Sequence, residues 1–274
     1  MKVLVERVGN YDSTKNFVER AFETFNFRAK YLKPNFLKHD SPEKGCITHP
    51  ELIRATVDVA REYGMDLTII EGGFYKKSSE KCFEYFGLRK IAECVNLNTD
   101  EFIEVKIGGK VLKKIKIAKT AFKAKKEGYI SVPKLKVHHL TKVTLGIKNN
   151  MGFLKKPAVY MHPNIHNKLV DLLSFIKPTF TIIDGVIGGT NSEMRPKPVK
   201  HGVLIASDSV IAADVVAARL MGFSPEEVEH IRIAMERYGI TEKELEIISN
   251  PGIEKLRKEY SLSLSSRMLG RLRI

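Results

Sequence analysis

The chain has 274 residues, 43% of them hydrophobic, and a formal net charge of +14. That length suits one large α/β domain over residues 1–274, and that apolar content is enough for a sizeable core. An uninterrupted apolar run of about eighteen residues is absent and the start, MKVLVERVGNYD, has no apolar signal region, so the reading is a cytoplasmic chain that does not enter a membrane.

Taken in chain order, Phe17, Ala21 and Phe25 recur at helical spacing, which predicts an amphipathic helix over 17–25. Residues 29–37 then read as a strand ended by Pro34. Residues 48–64 predict a helix capped by Thr48, with Glu51 completing a capping box and Gly64 stopping it. Residues 65–73 follow as a buried strand ending in Glu71 and two glycines, which makes a strand–helix–strand unit of a parallel sheet. Residues 80–95 suggest two short helices broken at Gly87. Alternation on both sides of Gly108-Gly109 predicts a hairpin over 102–118, inside a lysine-rich insertion at 98–127. Residues 128–133 return to the sheet. Further on, 164–176 reads as helix, 179–189 and 202–207 as strands, and 209–222 as a helix capped by Asp208. Ser224–Glu227 and Thr241–Glu244 have the form of capping boxes, each opening a further helix. The expected fold class is therefore α/β, a mostly parallel sheet with helices on both faces and a small β-hairpin insertion.

Several chemistries are disfavoured. Cys46, Cys82 and Cys94 are widely spaced and form no C-x-x-C pair, so neither a structural zinc site nor an intrinsic iron–sulfur cluster is expected, and the residues name no other cofactor. No P-loop, no G-x-G-x-x-G after a strand and no G-x-S-x-G elbow is present. The positive charge favours anionic partners. It is concentrated at 110–126, eight lysines with no acid, where Val111, Ile115 and Ile117 alternate with lysine as on a solvated strand edge. The same run could contact nucleic acid, although the lack of tryptophan argues against stacking on single strands.

The most informative stretch is PKLKVHHLTKVTLGIKNNMG at 133–152. A helix over 141–151 would seat Val143, Ile147 and Met151 on the sheet and present Thr144 and Lys148 on another face. Lysine is costly to bury without a partner, so Lys148 points to an anionic ligand. His138 and His139 are neighbours and would face opposite sides of a strand. Asn35, Glu71, His138 and Asp184 each fall at or just past the carboxyl end of a predicted strand, where open parallel sheets bind ligands. Asp184 equally reads as a strand-end acceptor of N–H bonds. His162 and His166 have the i, i+4 spacing of a metal pair, but Pro163 lies between them and no H-E-x-x-H glutamate accompanies them, so no metal is expected.

At these residues the chain resembles a family of domains of unknown function, numbered 362. The resemblance rests on KPNFL, THPELIRATVDVAREYG, VPKLKVHHLTKVTLGIKNNMG, IIDGVIGG and GVLIASDSVIAADVVAARLMG, in that order, over about residues 30–222. It implies an archaeal or bacterial cytoplasmic protein. Many relatives add a ferredoxin-like module with two four-iron clusters, whose cysteines this chain lacks. The matching polar positions are Lys33, Asn35, Thr48, His49, Lys136, His138, Thr144, Lys148, Asn149, His162, Asp184, Asp208 and Asp214. Relatives follow the aspartate strand with a glutamate-bearing glycine turn and Gly-Pro. Here the turn reads GGTNSEMRPKP, with Glu193 displaced.

The resulting expectation is a protein that binds a small phosphorylated or carboxylated ligand and catalyses proton transfer or isomerisation next to a carbonyl. Lys136 and Lys148 would act with His138 as the acid–base group. Lys33, Asn35, Glu71, Thr144, Asn149, His162 and Asp184 would complete the binding site. Alternatives are a nucleic-acid or ribonucleoprotein module using 110–126, and a partner of a separate iron–sulfur redox protein. The sequence fixes no oligomeric state. If the site is real, these residues, from separated parts of the chain, must line one pocket, with the hairpin to its side.

Overall fold

The structure, a computed structural model, describes residues 1–74 and 78–271. Its first half runs β1 (Lys2–Arg7), α1 (Thr14–Thr24), β2 (Tyr31–Lys33), α2 (Pro50–Glu62), β3 (Thr68–Glu71), α3 (Ser78–Tyr85), β4 (Cys94–Asn96), β5 (Phe102–Lys106), β6 (Lys114–Ala118) and α4 (Lys119–Glu127). There follow β7 (Tyr129–Ser131), β8 (Lys134–His138), β9 (Lys142–Val143), α5 (Gly146–Asn149), α6 (Pro157–Met161) and α7 (Ile165–Phe175). The last part is β10 (Phe180–Thr190), β11 (Lys197–Ser207), α8 (Val210–Leu220), α9 (Glu229–Tyr238), β12 (Glu246–Ser249) and α10 (Leu264–Arg271).

The main sheet has the order β12-β1-β11-β10-β7-β2-β3-β4, with β8 also paired to β10 and to β9. From β10 through β7, β2 and β3 to β4 every pairing is parallel. β11 is antiparallel to both β1 and β10. Neighbouring strand residues feed opposite cores, as a pleated sheet covered on both faces requires. Leu32, Ile69, Ile130, Ile182 and Leu204 pack on one side with residues of α1, α2 and α3. Tyr31, Ile70, Tyr129, Ile183 and Val203 pack on the other with residues of α4, α7, α8 and α9. β5 and β6 form the expected antiparallel hairpin. Asp171 of α7 holds its loop by accepting from the Val111 and Leu112 N–H groups at 2.7 and 2.8 Å.

Local expectations fail where a side chain has a better partner elsewhere. Thr48 does not cap α2. Its hydroxyl donates to Val132 O (2.6 Å) and accepts from Asn35 N–H (2.8 Å), so His49 takes the cap, with Nδ1 accepting from Glu51 N–H. Ser209, not Asp208, caps α8. After Gly87 a single 3-10 turn gives way to β4, so the second helix expected in 80–95 is absent. The Thr241–Glu244 capping box forms, but it holds one 3-10 turn and then β12, which pairs parallel with β1. Lysines 119–126 lie on α4 rather than on a strand edge. The helix expected at 141–151 is divided into β9, the four-residue α5 and a 3-10 turn over Asn150–Phe153.

Candidate functional site

A cleft of about 1080 Å³ opens at the carboxyl ends of β2, β3 and β8. Lys33, Asn35, Glu71, Lys136, His138, Thr144, Lys148, Asn149 and His162 all line it. Asp184 does not. It lies in the middle of β10, fully buried, and its carboxylate accepts from Lys134 Nζ (2.8 Å), Tyr11 OH (2.9 Å) and His49 N–H (2.9 Å). The strand runs on past Asp184 because β11 pairs with it as far as Thr190. Asp184 is therefore a closed structural anchor, and the ligand-binding expectation for it is corrected.

Strand period sorts the residues of β8. Lys134, Lys136 and His138 alternate on β8 with Leu135 and Val137, which enter a hydrophobic core. Lys134 is matched by Asp184, and burial still pushes its pKa down against that carboxylate. Lys33 is matched in the same way. Its ammonium is 2.9 Å from Glu71 Oε1, with both side chains buried. Glu71 also accepts from the Phe36 and Gly72 N–H groups. Asn149 is similarly engaged, accepting from Lys33 and Asn35 and donating to Ser131 Oγ. Gly152 permits this packing, since a Cβ there would lie 2.7 Å from Lys33 Nζ and 2.9 Å from Glu71 Oε1. Lys33, Glu71 and Asn149 thus form the floor of the cleft.

Two ammonium groups differ. Lys136 Nζ donates to Asn35 Oδ1 (2.8 Å) and Cys46 O (2.7 Å), both neutral. Among the described residues no carboxylate lies within ion-pair distance of Lys136 or Lys148, and Lys148 Nζ has no hydrogen-bond acceptor. Burial and then the Lys136 charge bring Lys148 down to about 8. Beside them, Thr144 Oγ1 is buried with no hydrogen-bond partner among the described residues. Lys148 is held in place by Asp214 of α8, whose carboxylate accepts from the Gly146 and Ile147 N–H groups at 2.7 and 2.9 Å. Gly146 is required for that approach, because a Cβ would meet Val210 Cγ2 at 2.5 Å.

The two adjacent histidines have different bonding. Leu140 N–H donates to His138 Nδ1 (3.2 Å), so the neutral ring carries its hydrogen on Nε2. Burial, then the charges of Lys148, His139, His162 and Lys136, hold His138 well below the usual imidazole range. Neutral, with Nε2–H unengaged by the described residues, it presents a hydrogen-bond donor to the cleft. His139 has the opposite arrangement. Its Nδ1 is 2.5 Å from Glu193 Oε1, and its backbone N–H donates to Glu193 Oε2 at 3.3 Å. Burial raises Glu193, but the bonds from His139 and from the backbone outweigh it and leave the carboxyl below its ordinary range. With Nδ1–H on the carboxylate, His139 Nε2 keeps its lone pair, the orientation of a general base. Sequence reasoning missed this pair. The signals were a second histidine beside His138 and an acid in the turn after β10.

His138, His139 and Glu193 also each offer a ligand atom within 4.8 Å of the others. A neutral His138 that ligated through Nε2 would turn its Nδ1–H toward the Leu140 N–H, donor against donor. The geometry as it stands favours donation over ligation. His162 lines the cleft, but His166 does not join it. His166 sits 3.3 Å from Glu229 and stacks on His230. The hairpin contributes Phe102 to the lining, while the rim lysines are Lys155 and Lys156.

Among the described residues no helix is long and apolar enough to cross a membrane. The chain is 27% identical over 224 residues, 76% of its own length and 67% of the relative's, to the thylakoid-associated protein sll1697 of Synechocystis sp. (strain ATCC 27184 / PCC 6803 / Kazusa). No solved structure matches. The family profile described as domain of unknown function (DUF362) matches residues 31–219, the span that builds the cleft, and the chain belongs to that family.

Proposed function

We propose that the cleft binds a small anionic carbonyl compound, phosphorylated or carboxylated, and moves a proton at the carbon beside that carbonyl. The observation that carries this reading is the pair of lining lysines, Lys136 and Lys148, that face the cleft with no carboxylate partner among the described residues. Two ammonium groups in a partly dry site repel one another unless an anion joins them. The orphan Thr144 hydroxyl adds a donor on the same wall. Within such a complex His138 Nε2–H would polarise the carbonyl oxygen, a role suited to a neutral imidazole. His139, oriented by Glu193, would take the proton.

Thermal-shift titration with inorganic phosphate and with small carboxylates tests the binding step. Stabilisation of the wild type that is reduced tenfold or more in affinity by Lys136→Met and by Lys148→Met is expected. Equal stabilisation of all three proteins would defeat the anion cradle. Exchange of the α-proton in heavy water, followed by NMR, tests the chemistry. His139→Gln should slow it at least a hundredfold, and an exchange rate untouched by that change removes the assigned base.

A further inference from the structure

Lys148 stands apart from the other inward lysines. Lys33 and Lys134 are ion-paired, and Lys136 donates to two oxygens. Lys148 has a short, rigid mounting: α5 is capped by Asp214, and Ile147 behind it is fully buried. Its amine reaches the cleft with no acceptor among the described residues, beside the cation Lys136 and close enough to His138 to be the leading charge that depresses that ring. A desolvated lysine next to a second cation is an arrangement that yields an amine nucleophile.

We propose that Lys148 is a nucleophile that condenses with the carbonyl group of an anionic 2-oxo acid to form an imine within the cleft. This rests on the anion-pocket reading and names the covalent step of the same site. The neutral Nζ attacks the carbonyl carbon, a C–N bond forms, and the oxygen takes up a proton to give a carbinolamine. The nitrogen lone pair then forms the C=N bond as the C–O bond breaks, the leaving hydroxyl takes a proton from solvent and departs as water, and the nitrogen keeps its one hydrogen, so a protonated imine remains. No oxidant or reductant takes part. His138 Nε2–H is the donor placed for the departing oxygen. Lys136 and Thr144 are placed for the carboxylate. The iminium would then act as the electron sink when His139 removes a proton from the neighbouring carbon. Burial supports the amine's readiness: with its pKa near 8, about one Lys148 in ten is neutral at pH 7, against about one exposed lysine in 2,500.

The test is reductive trapping of the full chain with pyruvate and cyanoborohydride, followed by intact mass and peptide mapping. The expected result is one carboxyethyl group on Lys148, added about a hundredfold faster than on any exposed lysine and slowed by inorganic phosphate. Labelling should level off above about pH 8 instead of climbing toward pH 10. Lys148→Met should abolish the single adduct. Should that variant not fold, Lys148→Arg and the wild-type pH profile decide the matter. Adducts spread evenly over surface lysines, or a profile that keeps rising through pH 10, would overturn the imine. Phosphate-induced stabilisation without trapping would remove the nucleophile and leave the anion cradle standing. Trapping at Lys148 that phosphate does not slow would keep the imine and remove the cradle.

Discussion

Two groups of lysines in this protein obey different physics. Those of residues 110–126 are many and mostly solvated. Lys114 is 3.3 Å from Glu104 and Lys119 is 2.8 Å from Glu101, while Lys125 and Lys126 lie over the rings of Phe175 and Phe122. Water screens such charges, and each contributes little to stability. Lys33, Lys134, Lys136 and Lys148 are few, three of them within 133–152, and all converge behind or within one cleft wall. There every ammonium needs a partner, and the described residues supply carboxylates to only two of them. Lysine density along the chain points to the hairpin and α4, whereas the chemistry lies with the sparse lysines that the sheet turns inward.

The largest effect should come from breaking a matched pair. Lys134→Met would leave the Asp184 carboxylate buried with only Tyr11 and the His49 N–H, and a buried charge that loses its partner costs about 3–5 kcal/mol. Urea denaturation should show a loss of that order, and adding Asp184→Asn should recover part of it by removing the stranded charge. A loss under about 1 kcal/mol would mean that the pair is not what secures β8 to β10.

The support beneath Lys148 gives the next effect, with a sign set by pH. Burial raises Asp214 to about 7, above its ordinary 3.8, even though two backbone N–H groups donate to it. The folded state therefore prefers the protonated carboxyl. That contribution is complete below about pH 4, declines as pH rises, and is lost once pH passes about 7. Several buried histidines, His138 and His230 among them, titrate in the opposite sense, so the difference between wild type and Asp214→Asn isolates the carboxyl of Asp214. The wild type should lose stability relative to that variant by a few kcal/mol between pH 4 and pH 8. A flat difference would mean that Asp214 stays ionised throughout.

A smaller effect is expected where the described residues offer no partner to lose. Lys148→Met should leave unliganded stability unchanged or raise it by up to about 1 kcal/mol, since a half-buried, unpaired cation is replaced by an apolar chain of similar shape. Lys33→Met, by contrast, strands Glu71. Equal destabilisation by the two changes would show that Lys148 has an acceptor after all.

Much of this arrangement was legible because it follows local periodicity. The apolar runs at 65–73 and 179–189 had to be buried strands, whereas the alternation in KLKVH, which puts Lys134, Lys136 and His138 on one face, lies past the strand expected at 128–133 and went unread. The unreadable part is the pairing of groups across the sheet. Nothing local tells Lys134, 50 positions before Asp184, from Lys136, which finds only neutral oxygens. The same holds for His139 and Glu193, joined across 54 positions by the turn between β10 and β11. Helix ends were misread for a related reason, as Thr48 serves the sheet rather than α2. In α4 the alternation of the preceding strand carried the reading too far, although KTAFKAKKE satisfies helical spacing through Ala121 and Ala124, both buried.

The smallest effect on the fold belongs to the hairpin group, and it separates the two sets most cleanly. Changing Lys110, Lys113, Lys116 and Lys123 to glutamine removes charges that take part in no ion pair among the described residues. Each change should alter stability by no more than about 0.5 kcal/mol. Phosphate stabilisation at the cleft should persist, because these side chains do not line it. What the changes can alter is long-range attraction to polyanions. If this surface holds nucleic acid, affinity measured across a salt series must fall with a steep slope that flattens by close to one for each phosphate contact removed. A weak, shallow dependence in both proteins would confine these lysines to solubility. A steep slope in the wild type that the quadruple variant loses would give the hairpin a partner of its own, separate from whatever anion occupies the cleft.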